Sequence, residues 1–438
     1  MKLKTIFVCQ NCSFQSGKWL GKCPSCDQWN TLLEDIINVG KPDSVNTGRR
    51  PVPRNPGKPQ AISASHTPRT RILTGIGEFD QVIGGGFVEG SLILLSGEPG
   101  IGKSTLTLQI TNQMAAQKSR VLYITGEESI EQVADRAKRL KSKQENIELL
   151  YENNLENILA VIEGQKPDFL VVDSIQVMSS AEIPGASGSL SQVRFVTEML
   201  MNAIKTHNIP TLLIGHVNKE GNIAGPKVLE HLVDTVLILE GERDHELRML
   251  RAMKNRFGPV NEVGIFEMTE EGLHELKNPG QRILENRKES CLGTCLTMSM
   301  EGNRPLLVEI QALVNHTDFG YPKRSANGFD RNRLELLIAV LQKHGGYSLS
   351  DQDVYINVTG GIHVSDPACD SAVCMAIISS LLKKPIPEMN VIVGEVGLSG
   401  EIRKSYKDKD REKSTKKMGL ELLLPHSIAT LRTIFIAG

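Results

Sequence analysis

The chain has 438 residues, 40% of them hydrophobic and 23% charged, with a formal net charge of −1 at pH 7. That length exceeds one ordinary hydrophobic core and predicts two or three domains, and the composition excludes bulk disorder. The near-neutral charge excludes a molecule coated in positive charge but leaves room for local basic patches. No apolar run approaches the roughly 18 residues that cross a bilayer, and the start, MKLKTIFVCQNCSFQ, lacks the apolar segment of a signal peptide. A cytoplasmic protein with no membrane partner is expected, its eight cysteines reduced or metal-bound rather than disulfide-linked.

Residues 1–35 predict a zinc knuckle. Cys9, Cys12, Cys23 and Cys26 form a C-x2-C-x10-C-x2-C array. Each C-x2-C pair brings two thiolates from one tight turn to the same ion, and two pairs complete a tetrahedron. With few apolar residues nearby, Zn²⁺ would supply much of the folding energy. Two disulfides or a redox C-x-x-C are the competing readings, and no βαβ pattern surrounds the cysteines to favour the latter. Cys291, Cys295, Cys369 and Cys374 sit in apolar sequence and read as packing residues. Residues 36–70 are dense in Pro, Gly, Ser and Arg, without periodicity, and read as a linker. From Lys41 to Arg71 there are seven Lys or Arg against the single acid Asp43.

Residues 71–275 predict an α/β core. SLILLSGEPGIGKSTLTLQI has the form strand, G-x4-G-K-[ST], helix. Its loop Gly97-Glu98-Pro99-Gly100-Ile101-Gly102-Lys103-Ser104-Thr105 can wrap ATP phosphates in backbone N–H groups, with the helix N-terminus aimed at the same charge. Lys103 would reach the β and γ phosphates, and Ser104 would hold Mg²⁺. VLYITGEES is a strand ending in Glu127 and Glu128. Either carboxylate can polarise an attacking water, and Glu127 aligns better with the strand end. DFLVVDSIQ ends a third strand on Asp173, suited to the magnesium's water shell. TLLIGHVNKEG ends a fourth at His216, a sensor candidate or a packed loop histidine. Ligands of open parallel sheets lie beyond the carboxyl ends of the strands, so these ends are expected to converge. LSQVRFVTEMLMNAIKTHN carries Val193, Val196, Met199, Leu200 and Ala203 at helical spacing.

DTVLILEGERDHELRMLRAMKNRFGPVNEVGIFEM then alternates strand-like runs with turns and predicts antiparallel strands at the sheet edge. Gly258-Pro259 would supply a tight turn. Lys254 and Arg256, i and i+2 on a strand, point to one face. They are either part of a basic hairpin turn or cations for a neighbour's γ-phosphate across a subunit interface, since an isolated subunit has no evident use for them.

The cysteine array, GEPGIGKST, LIGHVNKEGNIAGPKVLEH and KNRFG, in this order over almost the whole chain, resemble the bacterial RadA (Sms) family of recombination and repair ATPases. The resemblance implies a RecA-like core with a K-x-R element similar to that of hexameric replicative helicases. It further implies a ring of identical chains, a hexamer, with single-stranded and branched DNA as partners, a RecA-type recombinase as a protein partner, and branch migration as the activity. Lys254 and Arg256 would belong to the coupling element. The loops QVMSSAEIPGASGSLSQVR and HVNKEGNIAGPKVLEH, after the strands that end at Asp173 and His216, resemble the DNA-contacting loops of RecA-type proteins, with Arg194, Lys219 and Lys227 suited to backbone phosphates.

Residues 276–438 resemble the proteolytic domain of Lon proteases, an α+β unit with a Ser-Lys pair. Aligned on the helix AVCMAII, the serine position falls on Asp370, Ser371 is one residue off, and Lys409 lies near the expected lysine. A carboxylate forms no stable acyl intermediate of the usual kind, so an inactive scaffold is expected rather than an ATP-dependent peptidase. A RecA-type strand-exchange filament is a further alternative. RKSYKDKDREKSTKK, with eight basic residues against three acidic ones, reads as a solvated helix face. The lysine-rich tail from Lys404 departs from the family pattern.

Overall fold

The computed structural model describes residues 3–9, 15–24, 28–29, 31–38, 70–142, 145–216, 228–241, 246–276, 279–286, 291–318 and 320–431. Cys12, Cys26, Lys219, Lys227 and nearly all of the linker therefore lie outside the described residues. The chain divides into two compact units. One holds residues 1–240, 250–260 and 268–273; the other holds 241–249, 261–267 and 274–438. The division is interleaved between residues 240 and 275 rather than falling at one point, because the chain passes between the units several times there.

The first unit opens with a small sheet of order β2-β1-β3, made of β1 (Leu3–Cys9), β2 (Gln15–Ser16) and β3 (Leu32–Asn38). Strands β1 and β3 pair antiparallel along their whole length, with Cys9 opposite Leu32. β3 runs three residues past the expected boundary at residue 35. Cys9, Cys23 and Leu32 are buried together with Phe7 packed against them, a small core for a separate sheet.

A short β4 (Arg71–Ile72), α1 (Gly77–Val82) and β5 (Phe87–Val88) lead into the main sheet. The sheet then gathers β6 (Leu92–Gly97), α2 (Lys103–Ala116), β7 (Val121–Thr125), α3 (Ile130–Arg139), β8 (Ile147–Tyr151), α4 (Leu155–Gln165) and β9 (Phe169–Asp173). After these come α5 (Leu190–His207), β10 (Thr211–Ile214), α6 (Val228–Leu232) and β11 (Thr235–Glu240). Last are β12 (Leu247–Asn255), β13 (Val263–Thr269) and β14 (Gly272–Glu275). The order is β14-β13-β12-β11-β6-β10-β9-β7-β8, and β6 to β11 pair in parallel. β6, β7, β9 and β10 are buried at every position, which is why they read as unbroken apolar runs.

Three features differ from the sequence reading. Thr235–Glu240 pairs parallel with β6 and so belongs to the parallel core, not to an antiparallel edge. β8 escaped notice because it is an edge strand, half-exposed, with the mixed pattern IELLY. α5 buries Val193, Val196 and Leu200 as the periodicity predicts, and starts early enough to include Arg194. Arg194 therefore sits on a helix, ion-paired to Glu198 at 2.9 Å, rather than on a loop.

The second unit contains α7 (Pro279–Asn286), β15 (Thr294–Glu301), β16 (Arg304–His316), β17 (Arg324–Asn327), α8 (Arg331–Gly345) and β18 (Gln352–Val358). It continues with α9 (Asp370–Leu382), β19 (Asn390–Ile392), β20 (Glu395–Val396), β21 (Ile402–Arg403), α10 (Asp408–Lys417), β22 (Glu421–Leu423) and α11 (Ile428–Leu431). Its main sheet has the order β17-β18-β16-β15-β19-β22, and α8 and α9 lay their apolar faces on it. Cys295, Cys369 and Cys374 are packed in the core as expected, and burial pushes the Cys369 thiol up to about 12.

The lysine-rich α10 is not merely a solvated face. Arg411, 1% exposed, projects inward from it and donates to the carbonyl of Met298 at 2.9 Å, to Ser405 Oγ at 2.8 Å and to Asp366 Oδ2 at 2.5 Å. Nothing in a run of lysines distinguishes the one arginine that finds a buried carboxylate. A guanidinium fills such a site because its forked donors serve several acceptors at once.

Candidate nucleotide site

The loop between β6 and α2 is shaped by backbone sterics. Gly97 has φ +156°, and a Cβ there would lie 2.5 Å from the carbonyl oxygen of Leu239, so only glycine lets β6 end against β11. No side chain caps the N-terminus of α2, which leaves its first N–H groups open to an anion. Lys103 is buried and parks its ammonium on the loop's own carbonyls, at 2.9 Å from Gly97 O and 2.9 Å from Glu98 O. Burial lowers its pKa, while the nearby carboxylates of Asp173 and Glu127 oppose that shift and favour the charged form.

A cleft of about 280 Å³ opens in front of the loop. Pro99, Gly100, Gly102, Lys103, Ser104 and Thr105 form one wall; Glu127, Glu128, Arg136, Asp173 and His216 form the other. The structure thus brings together the phosphate loop and the polar ends of β7, β9 and β10. Asp173 is 7% exposed, accepts a 2.7 Å hydrogen bond from Tyr123 Oη and is hydrogen-bonded by the Ser104 hydroxyl. Burial pushes the Asp173 carboxyl above its ordinary value, and the Tyr123 and Ser104 hydrogen bonds hold it back. A hydroxyl and a carboxylate meeting at a phosphate loop are the oxygen donors a Mg²⁺ ion takes, so these residues fit that ion.

The two adjacent glutamates are separated by their partners. Glu127 accepts from Ser174 Oγ and lies 3.4 Å from His216 Nε2. Its hydrogen bond to His216 is the largest cause of a pKa held below the ordinary glutamate value, so it stays an anion facing the cleft. Glu128 turns to Arg136 and accepts two hydrogen bonds, at 2.6 and 2.7 Å. Local sequence explains the split. Ser129 and Gln132 form a capping box that starts α3 immediately after the pair, and Arg136 then reaches back to Glu128. His216 keeps a buried Nδ1 with no hydrogen-bond partner among the described residues.

Tyr123, Ser174 and Arg136 were not foreseen. Ser174 follows Asp173 directly and Tyr123 stands inside the β7 run, so adjacency alone marked them. Arg136 carried no signal beyond its place on a helix.

Lys254 and Arg256 do share a face, and the chain itself uses them. Lys254 Nζ donates to the carbonyls of Glu230 at 2.5 Å and Val233 at 2.8 Å, and Arg256 Nη1 lies 3.2 Å from Asp234 Oδ1. They complete the C-terminal end of α6, where carbonyls lack helical partners and cations are favoured. Burial, then the charge of Arg256, lowers the Lys254 pKa. The expectation that a single subunit has no use for these cations is thereby corrected. Asp234 Oδ2 in turn accepts from Leu92 N at 3.1 Å, at the start of β6. The phosphate loop begins at the other end of that strand, at Gly97, five residues and about 16 Å away. Gly258 is explained by packing as much as by turning: a Cβ on it would lie 2.9 Å from Gly84 Cα.

Relatives resolve what this arrangement belongs to. A family model described as KaiC-type ATPase matches residues 72–152, and one described as rubredoxin metal binding domain matches residues 7–34. The chain is 47% identical to a DNA repair protein RadA of Bacillus subtilis over 97% of its own length and 92% of the relative's. The chain belongs to the RadA family. A second RadA, from Listeria monocytogenes, is 46% identical over 96% of this chain and 91% of its own length. Among solved structures, a KaiC-like protein from Pyrococcus horikoshii covers 48% of this chain and all of its own, with 23% identity and a TM-score of 0.41. The chain thus joins a RecA-type ATPase domain to an N-terminal zinc-ribbon segment. In that ribbon Cys9, at the end of β1, and Cys23 are buried in one small cluster with Leu32, two of the four cysteines that would hold zinc. No helix among the described residues is long and apolar enough to cross a membrane.

Proposed function

We propose that this chain is a DNA-dependent ATPase that works as a closed homo-oligomeric ring, in which Lys254 and Arg256 of one protomer complete the nucleotide site of the next. The observation that carries this reading is the separation of the parts within one chain. The cleft holds Lys103, Ser104, Glu127 and Asp173, while Arg256 pairs with Asp234, which holds Leu92 N at the opposite end of β6, and Lys254 sits on the α6 carbonyls. They cannot serve their own cleft, and a ring supplies the geometry in which they serve a neighbour's.

In this reading Lys103 moves from the loop carbonyls onto the β and γ phosphates of ATP, exchanging two neutral acceptors for charged ones. Glu127, held anionic by His216 and Ser174, accepts the proton of the attacking water at Oε1. Ser104 and Asp173 hold Mg²⁺, which when bound neutralises charge developing on the transferred phosphoryl group. Arg256 adds a guanidinium from the adjoining protomer, leaving Asp234 to do so. The family name supports a role in DNA repair, and single-strand translocation, branch migration and six protomers per ring are parts of the same proposal. Arg194, Lys219 and Lys227 are its candidates for phosphate contact along the DNA.

The test is ATP hydrolysis with and without single-stranded DNA for the wild type, Lys103→Ala and Arg256→Ala. Both variants are expected to lose hydrolysis by about 10³-fold. Mixing them should restore part of it, because some interfaces then pair an intact cleft with an intact arginine. Wild-type activity in Arg256→Ala, or no recovery on mixing, would refute the shared site.

The second unit is proposed as an inactive scaffold. Asp370 and Ser371 are each 0% exposed, which closes the serine to a substrate, and Lys409 lies exposed on α10.

A further inference from the structure

Tyr123 stands at the centre of β7, VLYIT, a strand buried at every position. A phenylalanine there would bury the same ring without a hydroxyl, and a buried hydroxyl is costly unless it is hydrogen-bonded. This one donates to Asp173, with Tyr123 Oη 2.7 Å from Asp173 Oδ2. Strand pairing brings the two together. β7 and β9 run parallel, with Tyr123 opposite Val171 and Thr125 opposite Asp173. Side chains alternate along a strand, so Tyr123, Thr125 and Asp173 share one face of the sheet. Leu122, Ile124, Leu170 and Val172 take the other face, in the apolar core. Among the described residues that line the cleft is Asp173 but not Tyr123, so the tyrosine meets the carboxylate from behind.

The hydroxyl does two things for that carboxylate. A carboxyl group turns easily about its last bond. Holding Oδ2 stops that rotation and limits where Oδ1 can point. The donor is also neutral. A cation would orient the carboxylate but satisfy its charge, as Arg333 does for Asp370 in the second unit. A phenol, whose ordinary pKa is about 10, orients it and leaves the charge for a ligand.

We propose that Tyr123 is a positioning residue for the metal–nucleotide complex, holding Asp173 in the orientation from which it can serve, with Ser104, the Mg²⁺ of bound ATP. The proposal rests on the nucleotide reading above and deepens it. Tyr123 touches neither the nucleotide nor the ion in this account, so it should matter to nucleotide binding only when the metal is present.

The experiment measures binding rather than turnover. A fluorescent, non-hydrolysable ATP analogue is titrated into the full-length chain in Mg²⁺ and again in EDTA, and the ratio of the two affinities gives the metal's share. Tyr123→Phe keeps the ring and removes only the oxygen. It should weaken binding in Mg²⁺ about tenfold, the scale of a lost hydrogen bond behind a metal-binding carboxylate, and leave binding in EDTA unchanged. The half-saturating Mg²⁺ of hydrolysis should rise in step. In an Asp173→Ala background, with no carboxylate to hold, the same substitution should change nothing further. Wild-type affinity for the Mg²⁺ complex in Tyr123→Phe overturns the proposal. So does an equal loss in Mg²⁺ and EDTA, which would make the tyrosine a packing residue, or an undiminished loss in the Asp173→Ala background, which would bypass the aspartate. In each of these cases a wild type that binds more tightly with Mg²⁺ leaves the nucleotide reading intact. A wild type that gains nothing from Mg²⁺ removes the assignment of Ser104 and Asp173 to the ion, and the role of Tyr123 with it.

Discussion

Two buried aspartates, one in each unit, meet opposite fates. Asp173 ends β9 and Asp370 begins α9, and in both burial is the main reason that the carboxyl is pushed above its ordinary value. Asp173 has neutral partners, the hydroxyls of Tyr123 and Ser104, and looks into a cleft of about 280 Å³. Asp370 is held by the Arg333 guanidinium through both carboxylate oxygens and also accepts from Val396 N at 3.2 Å. A carboxylate with neutral partners and an opening keeps unmet demand for a cation. One whose cation is built into the protein keeps none. The same side chain is thus poised for chemistry in one unit and spent on cohesion in the other.

The contrast can be broken or sharpened by substitution. The largest effect belongs to the cleft. Glu127→Gln should cut ATP hydrolysis by about 10³-fold, the scale of a lost general base, whereas Glu128→Gln, which releases only Arg136, should cost less than about tenfold. Steady-state hydrolysis with saturating DNA measures both, and equal losses would deny that the partners of these glutamates divide their roles.

In the second unit the effect should fall on stability. Asp370→Ala leaves Arg333 facing a site built for an anion and should cost about 3 kcal/mol in urea unfolding. Asp370→Ser should cleave no peptide, because its hydroxyl would be as buried as the carboxylate it replaces. Casein cleavage by that variant would show that the unit keeps a working peptidase frame.

Asp173 should behave in the opposite sense. Its raised pKa means that the folded chain holds a proton there more tightly than the unfolded one. The stability linked to that proton is present at acid pH and lost as pH rises through the raised value. At pH 7 the ionised, buried carboxylate is a net cost. Nucleotide-free Asp173→Asn should therefore be more stable than the wild type by about 1 kcal/mol while losing magnesium-dependent hydrolysis. The gap should close as pH falls toward 3.8, the ordinary aspartate value. A less stable Asn variant at neutral pH would mean that the two aspartates are alike after all.

The smallest effect is expected at Ser371, whose buried hydroxyl has no hydrogen-bond partner among the described residues. Ser371→Ala should leave ATP hydrolysis unchanged and stability within about 0.5 kcal/mol, since no bond is lost. A larger change in either readout would assign that serine a role.

What was legible in the sequence was whatever is written locally. The phosphate loop, the strand ends at Glu127, Asp173 and His216 and the apolar face of α5 all rest on spacing along one segment. Buried parallel strands announce themselves as apolar runs because both faces are covered. β8 and β11 were missed or misassigned for the converse reason: an edge strand is only half covered, and pairing direction is not encoded in a strand's own residues.

Side-chain partnership was the property the sequence withheld. Glu127 and Glu128 are neighbours in the chain, yet His216 and Ser174 claim one and Arg136 the other. Arg411 looks like one basic residue among eight and proves to be a core group. Lys254 and Arg256 could be placed on one face by the period of a strand, but not on the carbonyls of α6 or on Asp234. By itself the sequence determined which residues could carry charge, wrap phosphate or bind metal, since those properties belong to residue types at fixed spacings. Only the tertiary structure decided which charges meet, which are buried and which stay open to a ligand. Those outcomes depend on desolvation and on contacts between segments far apart in the chain.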